Sequence, residues 1–198
     1  MYLADHEIAA AVERGDVSVA PVRGNRYRPA SYLLSLGPRV MTAKTVGGPI
    51  DPFSRNDVED AFHPARQFDQ IELTPGELVL AATHEVVAIG PRHFGRITGM
   101  SHVARLGLAV HVASDFISPG FGSDAPTAIT LELVNHHPRP LLLRAGMPVC
   151  HLQIGVLSSP SSRTYDLLPI RYGGVEQPTG SLYWREFGVP SGTSERSR

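Results

Sequence analysis

The sequence predicts a mainly β fold with a few short helices, either a barrel or a sandwich built from short strands. Three observations carry this expectation. Gly 19 and Pro 17 are spread along the 198 residues rather than gathered into one linker, as turns between many strands would be. Helix signals are few. Ile129-Thr130-Leu131-Glu132-Leu133-Val134 alternates, placing Ile129, Leu131 and Leu133 on one face and Thr130, Glu132 and Val134 on the other. Such strands leave edges that must be closed or covered, which a barrel or a sandwich does.

From the start of the chain, Asp5 is placed to cap a helix running to about Arg14, with Gly15 as its stop and Ile8 and Val12 on one face. An irregular stretch is expected from there to about residue 70, holding Pro29-Ala30-Ser31-Tyr32 and Gly47-Gly48-Pro49. Glu72-Leu73-Thr74-Pro75-Gly76-Glu77 reads as a turn, followed by strands at Leu78-Val79-Leu80 and Val86-Val87-Ala88-Ile89. After the alternating segment, Arg144-Ala145-Gly146-Met147 is a turn into a strand from Val149 to Ile154. No repeats are visible. Length favours one domain, read as residues 1–189, with a small, polar, disordered tail at 190–198.

Hydrophobic residues at 42% and charged residues at 19% supply a core without metals or disulfides. A formal net charge of -1 argues against nucleic acid or an anionic membrane as partner, whereas a small anion needs only a local basic patch. The single Cys150 makes neither an internal disulfide nor a zinc site. Met1 to His6 lacks the basic and apolar regions of a signal peptide, and no apolar stretch approaches the ~20 residues that span a bilayer, so a cytoplasmic location is expected. His111 and His136-His137 are close in sequence, but adjacent strand histidines point to opposite faces, and no protein-bound metal is expected from them.

The most informative segment is Gly99-Met100-Ser101-His102-Val103-Ala104-Arg105-Leu106-Gly107-Leu108, continuing through Val110-His111-Val112. It resembles the Arg-Ser-Ser-x-Ala-Arg-Leu-Gly-Leu run of the dCTP deaminases, a branch of the dCTP deaminase/dUTPase superfamily. Ile117-Ser118-Pro119-Gly120-Phe121 is similar to the family's Ile-Asp-Pro-Gly-aromatic turn. Thr130 to Asn135 is similar to its Leu-Glu-x-x-Asn strand, and Arg144 to Met147 to its Arg-Pro-Gly-Met turn. Pro29-Ala30-Ser31-Tyr32 with Leu36-Gly37, and Arg171-Tyr172-Gly173 with Pro178-Thr179-Gly180-Ser181, extend the ordered matches over nearly the whole chain.

The resemblance implies a distorted, dUTPase-like β-barrel, a homotrimer with sites between subunits, and hydrolytic deamination of a cytosine nucleotide without zinc. Glu132 stands at the position of the family's general base, a role that asks for a carboxylate in an enclosed site; an exposed strand glutamate is the competing reading. Ser101, His102, Arg105, Val112, Ser118, His151, Arg171 and Tyr172 stand at substrate-binding positions. Ser101 and Arg105, four apart, share a face of a short helical turn, and a helix cap with a surface ion pair is their alternative role. Magnesium is expected only in company with nucleotide phosphates.

Departures from the family pattern cluster at the nucleotide. Met100 replaces an arginine, His102 a serine, Ser118 the turn aspartate and Leu33 an acidic residue; His151 replaces glutamine, and Arg171 a common lysine. Arg96, Arg105 and Arg171 remain to meet phosphate. Three readings stay open: a cytosine nucleotide or nucleoside deaminase, a non-catalytic nucleotide-binding or regulatory relative, and a dUTPase-like pyrophosphatase, which Ser118 disfavours.

Overall fold

The computed structural model describes residues 1–110 and 114–188 of the chain. The first half contains α1 (Asp5–Glu13), β1 (Val17–Ala20), β2 (Tyr27–Arg28), β3 (Ser31–Thr42), α2 (Arg55–Asp60), β4 (Arg66–Gln67), β5 (Gln70–Leu73), β6 (Leu78–Ile89) and β7 (His93–Gly99). There follow α3 (Ser101–Ala104), β8 (Leu108–Ala109), β9 (Phe116–Ile117), β10 (Thr127–Asn135), β11 (Leu141–Arg144), β12 (Pro148–Val156) and α4 (Tyr183–Phe187). The fold is mainly β with a few short helices, as the sequence predicts. The expected tail at 190–198 lies outside the described residues.

One antiparallel sheet dominates, with strand order β8-β10-β6-β3-β12-β7-β9; β1 adds to β6, and β2 and β4 add to β3. Chain length forces this sheet to curl. Seven strands spaced about 4.8 Å apart would hold the outer two about 29 Å apart if flat. The seven residue steps from Ala109 at the end of β8 to Phe116 at the start of β9 reach at most about 25 Å. The sheet accordingly wraps into a half-barrel, with β5 and β11 pairing separately.

Three register shifts help it bend, between β3 and β6 at Leu36/Val40, between β10 and β6 at Ala128/Thr130, and between β12 and β3 at Pro148/Cys150. Side chains from β6 answer the backbone groups near them. Thr83 Oγ1 accepts the Ile129 N–H at 2.9 Å and donates to the Glu85 carbonyl at 2.7 Å. The fully buried Glu85 accepts the Ser35 N–H at 2.7 Å. Gly37 lies where β3 meets this turn of β6; a Cβ there would stand 2.9 Å from the Ala82 carbonyl oxygen.

The core runs through the inside of the curl. Leu131 and Leu133 of β10, Val79 and Ala81 of β6, Leu34 and Leu36 of β3 and Leu152 and Ile154 of β12 are all buried. Each fully buried leucine, isoleucine or valine side chain of this kind contributes about 1.5–3 kcal/mol. Helix α1 closes one side through Ile8 and Ala11, with Val12 packed partly against the core. Cys150 is buried in β12, and burial pushes its thiol far above the ordinary range, so it is not a nucleophile.

Several expectations need correction. Ala4, not Asp5, occupies the N-cap of α1, and its N–H donates to the Glu7 carboxylate at 2.8 Å. The stretch to residue 70 is not irregular: it contains the 12-residue β3 and the helix α2. Residues 31 to 37 of β3 are buried on both faces, so no alternation marks them. Leu78–Leu80 and Val86–Ile89 are one continuous strand, β6. Glu72 and Leu73 belong to β5, and only Thr74 to Glu77 turns, with Glu77 Oε2 accepting the Thr74 N–H and hydroxyl. No helix among the described residues is long and apolar enough to cross a membrane.

Replacing Thr83 by valine keeps the shape and deletes the acceptor for the Ile129 amide. We expect a loss of about 1–3 kcal/mol in unfolding free energy by urea titration, the cost of a buried amide without a partner.

Two sheet histidines set an acid limit. Burial holds both His93 and His151 below the ordinary value of 6.5; Arg28 and His102 add to the effect at His151, while Asp16 opposes it at His93. Each therefore binds a proton more readily unfolded than folded, so its contribution is complete above pH ~6.5 and is lost as pH falls below that value. The urea midpoint should fall between about pH 7 and pH 5.5, and His151→Gln should flatten part of that slope.

Candidate active site

Curling brings β10 and β6 to face β7 and β9 across a cavity of about 560 Å³. Ala128 and Ile129 at the start of β10 both line it, and from Thr130 onward alternation decides what points in. Leu131 and Leu133 fill the core, while Thr130 and Glu132 are half-buried and line the cavity. Leu80 stands opposite Glu132 on β6. Ile97, Phe116 and Ile117 form the far wall, and Ser118 and Phe121 enter from the turn after β9. Gly120 makes that turn possible, holding φ at +87°, a conformation that favours glycine.

The C-terminal segment from Tyr172 to Ser181 forms the remaining wall, and its attachments are specific. The Ala128 N–H donates to the Val175 carbonyl at 2.8 Å, and the Gly174 N–H donates to Thr127 Oγ1 at 2.8 Å. Thr130 Oγ1 accepts the Thr179 N–H at 3.3 Å. The Tyr165 hydroxyl accepts the Tyr172 N–H at 2.8 Å, and the Tyr172 hydroxyl accepts the Leu182 N–H at 2.9 Å. Burial pushes the Tyr165 hydroxyl up, so it stays protonated and neutral. The lining is thus one carboxylate, Glu132, set among aromatic rings, aliphatic side chains and hydroxyls, among the described residues.

Of the residues singled out by sequence, Glu132, Ser118 and Tyr172 meet at this cavity. Arg171 lines an adjoining basin of about 390 Å³ that shares Tyr165 and Tyr172 with it. Its guanidinium donates to Asp124 Oδ2 at 2.6 Å and to the Leu168 carbonyl at 2.9 Å. Ser101, His102 and Arg105 do not line the cavity; Ser101 and His102 are exposed on α3, and Arg105 is its exposed C-cap. The helical turn is present, but Ser101 is not its cap, a position held by Met100. His151 of β12 lies opposite Leu33 of β3, with its Nδ1 2.9 Å from Ser31 Oγ, and is also outside the cavity lining. Val112 falls outside the described residues.

Two departures from the family pattern have a packing explanation. Met100 lies partly buried against the hydrophobic core, and Leu33 is buried within β3. Asn135, by contrast, holds structure: its Nδ2 donates to the Leu73 and Arg139 carbonyls at 2.9 Å each, and its Oδ1 accepts the His137 N–H at 2.8 Å. Sequence reasoning missed Tyr165, Phe116 and Thr130 as lining residues. Thr130 had a signal, since it shares a face with Glu132; Tyr165 and Phe116 had none. No group of three or more His, Cys, Asp or Glu among the described residues could hold a metal ion.

Comparison with known proteins identifies the family. The family model described as dCTP deaminase-like matches residues 2–155. A Methanopyrus kandleri protein named dCTP deaminase, dUMP-forming, is 36% identical over 191 residues, 93% of this chain and 97% of its own. A protein of the same name from Salinispora arenicola is 34% identical over 191 residues, covering 94% and 97%. Among solved structures, the 2'-deoxycytidine 5'-triphosphate deaminase from Agrobacterium tumefaciens superposes with a TM-score of 0.61 at 19% identity, over 78% of this chain. The chain spans only 48% of that longer one, and the likeness speaks to the fold alone. With a half-barrel sheet, a glutamate in its cavity and relatives matched over nearly their full length, the chain belongs to the dCTP deaminase-like family.

Proposed function

We propose that this chain is a cytoplasmic hydrolase, a single domain of residues 1–189, that deaminates a cytosine nucleotide or nucleoside with Glu132 as general base. The observation that carries the reading is the position of Glu132, the one acidic residue among the described residues lining the cavity. In this reading the cytosine ring lies between the aromatic and aliphatic walls with C4 toward the carboxylate. Glu132 takes a proton from a bound water as its oxygen bonds to C4. The C4–N bond then breaks, and the proton returns on the leaving amino group, so cytosine and water become uracil and ammonia. Apolar walls exclude bulk water, leaving a positioned water as the nucleophile.

The relatives' name includes dUMP formation, which requires loss of phosphates as well as deamination. We read the chain as stopping at deamination, because Ser118 brings a neutral hydroxyl where the family's turn carries an aspartate. Magnesium then enters only with nucleotide phosphates. A second reading, a non-catalytic nucleotide-binding or regulatory relative, draws support from Met100 and Leu33, which give core packing where the family pattern has polar groups.

The partner is a small molecule together with further copies of this chain. Ser101, His102 and Arg105 lie on an exposed helical turn away from the cavity of their own chain. A homotrimer would let that turn serve a neighbour's cavity and would cover the edge strands β8 and β9. Light scattering at micromolar concentration should give three times the chain mass of 21.4 kDa; a monomer would remove the shared-site arrangement.

Glu132→Gln keeps size and hydrogen bonding while deleting the base. Ammonia release from cytosine substrates should fall by about 10²–10⁴-fold, with circular dichroism and assembly unchanged, and neither protein should release pyrophosphate. Equal turnover by Glu132→Gln would overturn the assignment, and absence of turnover in the wild type would favour the non-catalytic reading.

A further inference from the structure

The strap that forms the last wall of the cavity, Tyr172 to Ser181, is tied along one side to Thr127, Ala128 and Thr130 of β10. Its far end is held by a distant part of the chain. α4 follows the strap directly and rests on α2, which lies between β3 and β4 in sequence. Arg55 Cζ stands 5.1 Å from the centroid of the Trp184 ring. Phe53 meets Tyr183 edge-on at 5.2 Å between centroids, and Tyr183 packs against Phe187 at 4.9 Å. The α2 segment is itself rooted in the sheet. The Lys44 N–H donates to the Ala61 carbonyl at 3.0 Å, the His63 N–H to the Thr42 carbonyl at 2.9 Å, and the Lys44 ammonium pairs with Asp60. Val58 is buried beneath it.

Thr179, Gly180 and Ser181 line both the Glu132 cavity and a groove of about 330 Å³ between α2 and α4. They are the partition between the two spaces, and lifting the strap would join them. We propose that Arg55 and Trp184 are positioning residues that clamp the strap over the cavity and set how fast ligand enters and leaves. The gating role rests on the Glu132 cavity being the ligand site, whereas the clamp itself does not. Its contacts suit a gate because they are breakable: Arg55, Phe53, Tyr183 and Phe187 are all exposed, where a cation over a ring or an aromatic pair is weak. Every one of these contacts joins two parts of the same chain. A contact made equally in the free and the bound protein leaves affinity unchanged, because it does not discriminate between the two. It acts on strap opening instead, slowing association and dissociation by the same factor.

The clamp can be tested without a ligand. The Gly174, Thr179 and Leu182 amides are all bonded in the closed strap, so their hydrogen exchange reports its opening. Arg55→Ala should raise that exchange by about two- to fivefold, the range for a cation over a ring at an exposed site. The Leu131 and Leu133 amides, in the core of β10, should keep the wild-type rate. Arg55→Lys, which retains a cation, should restore most of the protection, and Arg55→Gln should not. Trp184 is the single tryptophan, so acrylamide should quench the emission of Arg55→Ala more readily than that of the wild type. For gating, dCTP with magnesium is the probe, with rates read by surface plasmon resonance on the immobilised protein. Association and dissociation should both quicken by the same two- to fivefold in Arg55→Ala, with Kd unchanged. Strap exchange equal to the wild type, or an equal rise at Leu131 and Leu133, overturns the clamp. Faster dissociation alone, with weaker affinity, overturns the gating role. If dCTP does not bind the wild type, the gating role falls together with the reading of the cavity, and the exchange result still decides the clamp.

Discussion

The structure depends on a length constraint: six residues, 110 to 115, join strands at opposite ends of the main sheet. A flat sheet cannot satisfy so short a link, so β7 and β9 must swing round to face β10 and β6. That single requirement makes the cavity. It also explains why residues far apart in sequence, such as Leu80, Phe116 and Glu132, share one wall-to-wall space. The bend is accommodated locally at the register shifts of β6, where Thr83 and Glu85 take over hydrogen bonds near the shifted backbone. The buried carboxylate of Glu85 accepts the Ser35 amide through Oε2, while its Oε1 has no hydrogen-bond partner among the described residues.

What was legible in the sequence follows from how many faces each strand buries. β10 has one face in the core and one toward the cavity, so its alternation was readable and located Glu132 correctly on the half-buried side. β3 buries both faces over Ser31 to Gly37, and its serines and glycine read as loop residues although Ser35 and Gly37 are packed against β6. β6 looked like two strands because Thr83, His84 and Glu85 interrupt the apolar run; two of these three are buried to serve the backbone rather than to face water. The turn at Gly146 was readable because a positive φ there asks for glycine.

The candidate site was legible in a different way. Ordered family motifs pointed to Glu132, Ser118 and Tyr172, and those three do converge. The motifs could not say that α3 lies apart from the cavity, since nothing in a linear pattern states which face of the sheet a short helix rests on. Tyr165 illustrates the remaining gap. It reaches the cavity because residues after β12 fold back across β10, and that return path is fixed by backbone contacts such as Ala128 to Val175 rather than by any local pattern.

Motif residues divide here into two physical classes. Asn135, Gly120 and Gly146 hold backbone geometry, through side-chain amide bonds or positive φ, and of the three Gly120 lies in the turn that brings Ser118 and Phe121 to the cavity. Met100, Leu33 and Ser118 stand where the family pattern has charged groups, yet each is compatible with the same backbone: the first two join the packed interior, and the third remains as a cavity hydroxyl. Changing the second class leaves the half-barrel intact while altering the charge offered to a ligand. Electrostatics decides how far such a change reaches, because charges inside a partly enclosed, apolar-walled space are screened less than those on open surface. Glu132 keeps its place on β10 because the strand's alternation, set by the core residues Leu131 and Leu133, fixes its direction independently of whatever surrounds it. A scaffold built in this way can retain the carboxylate at position 132 while the residues around it change.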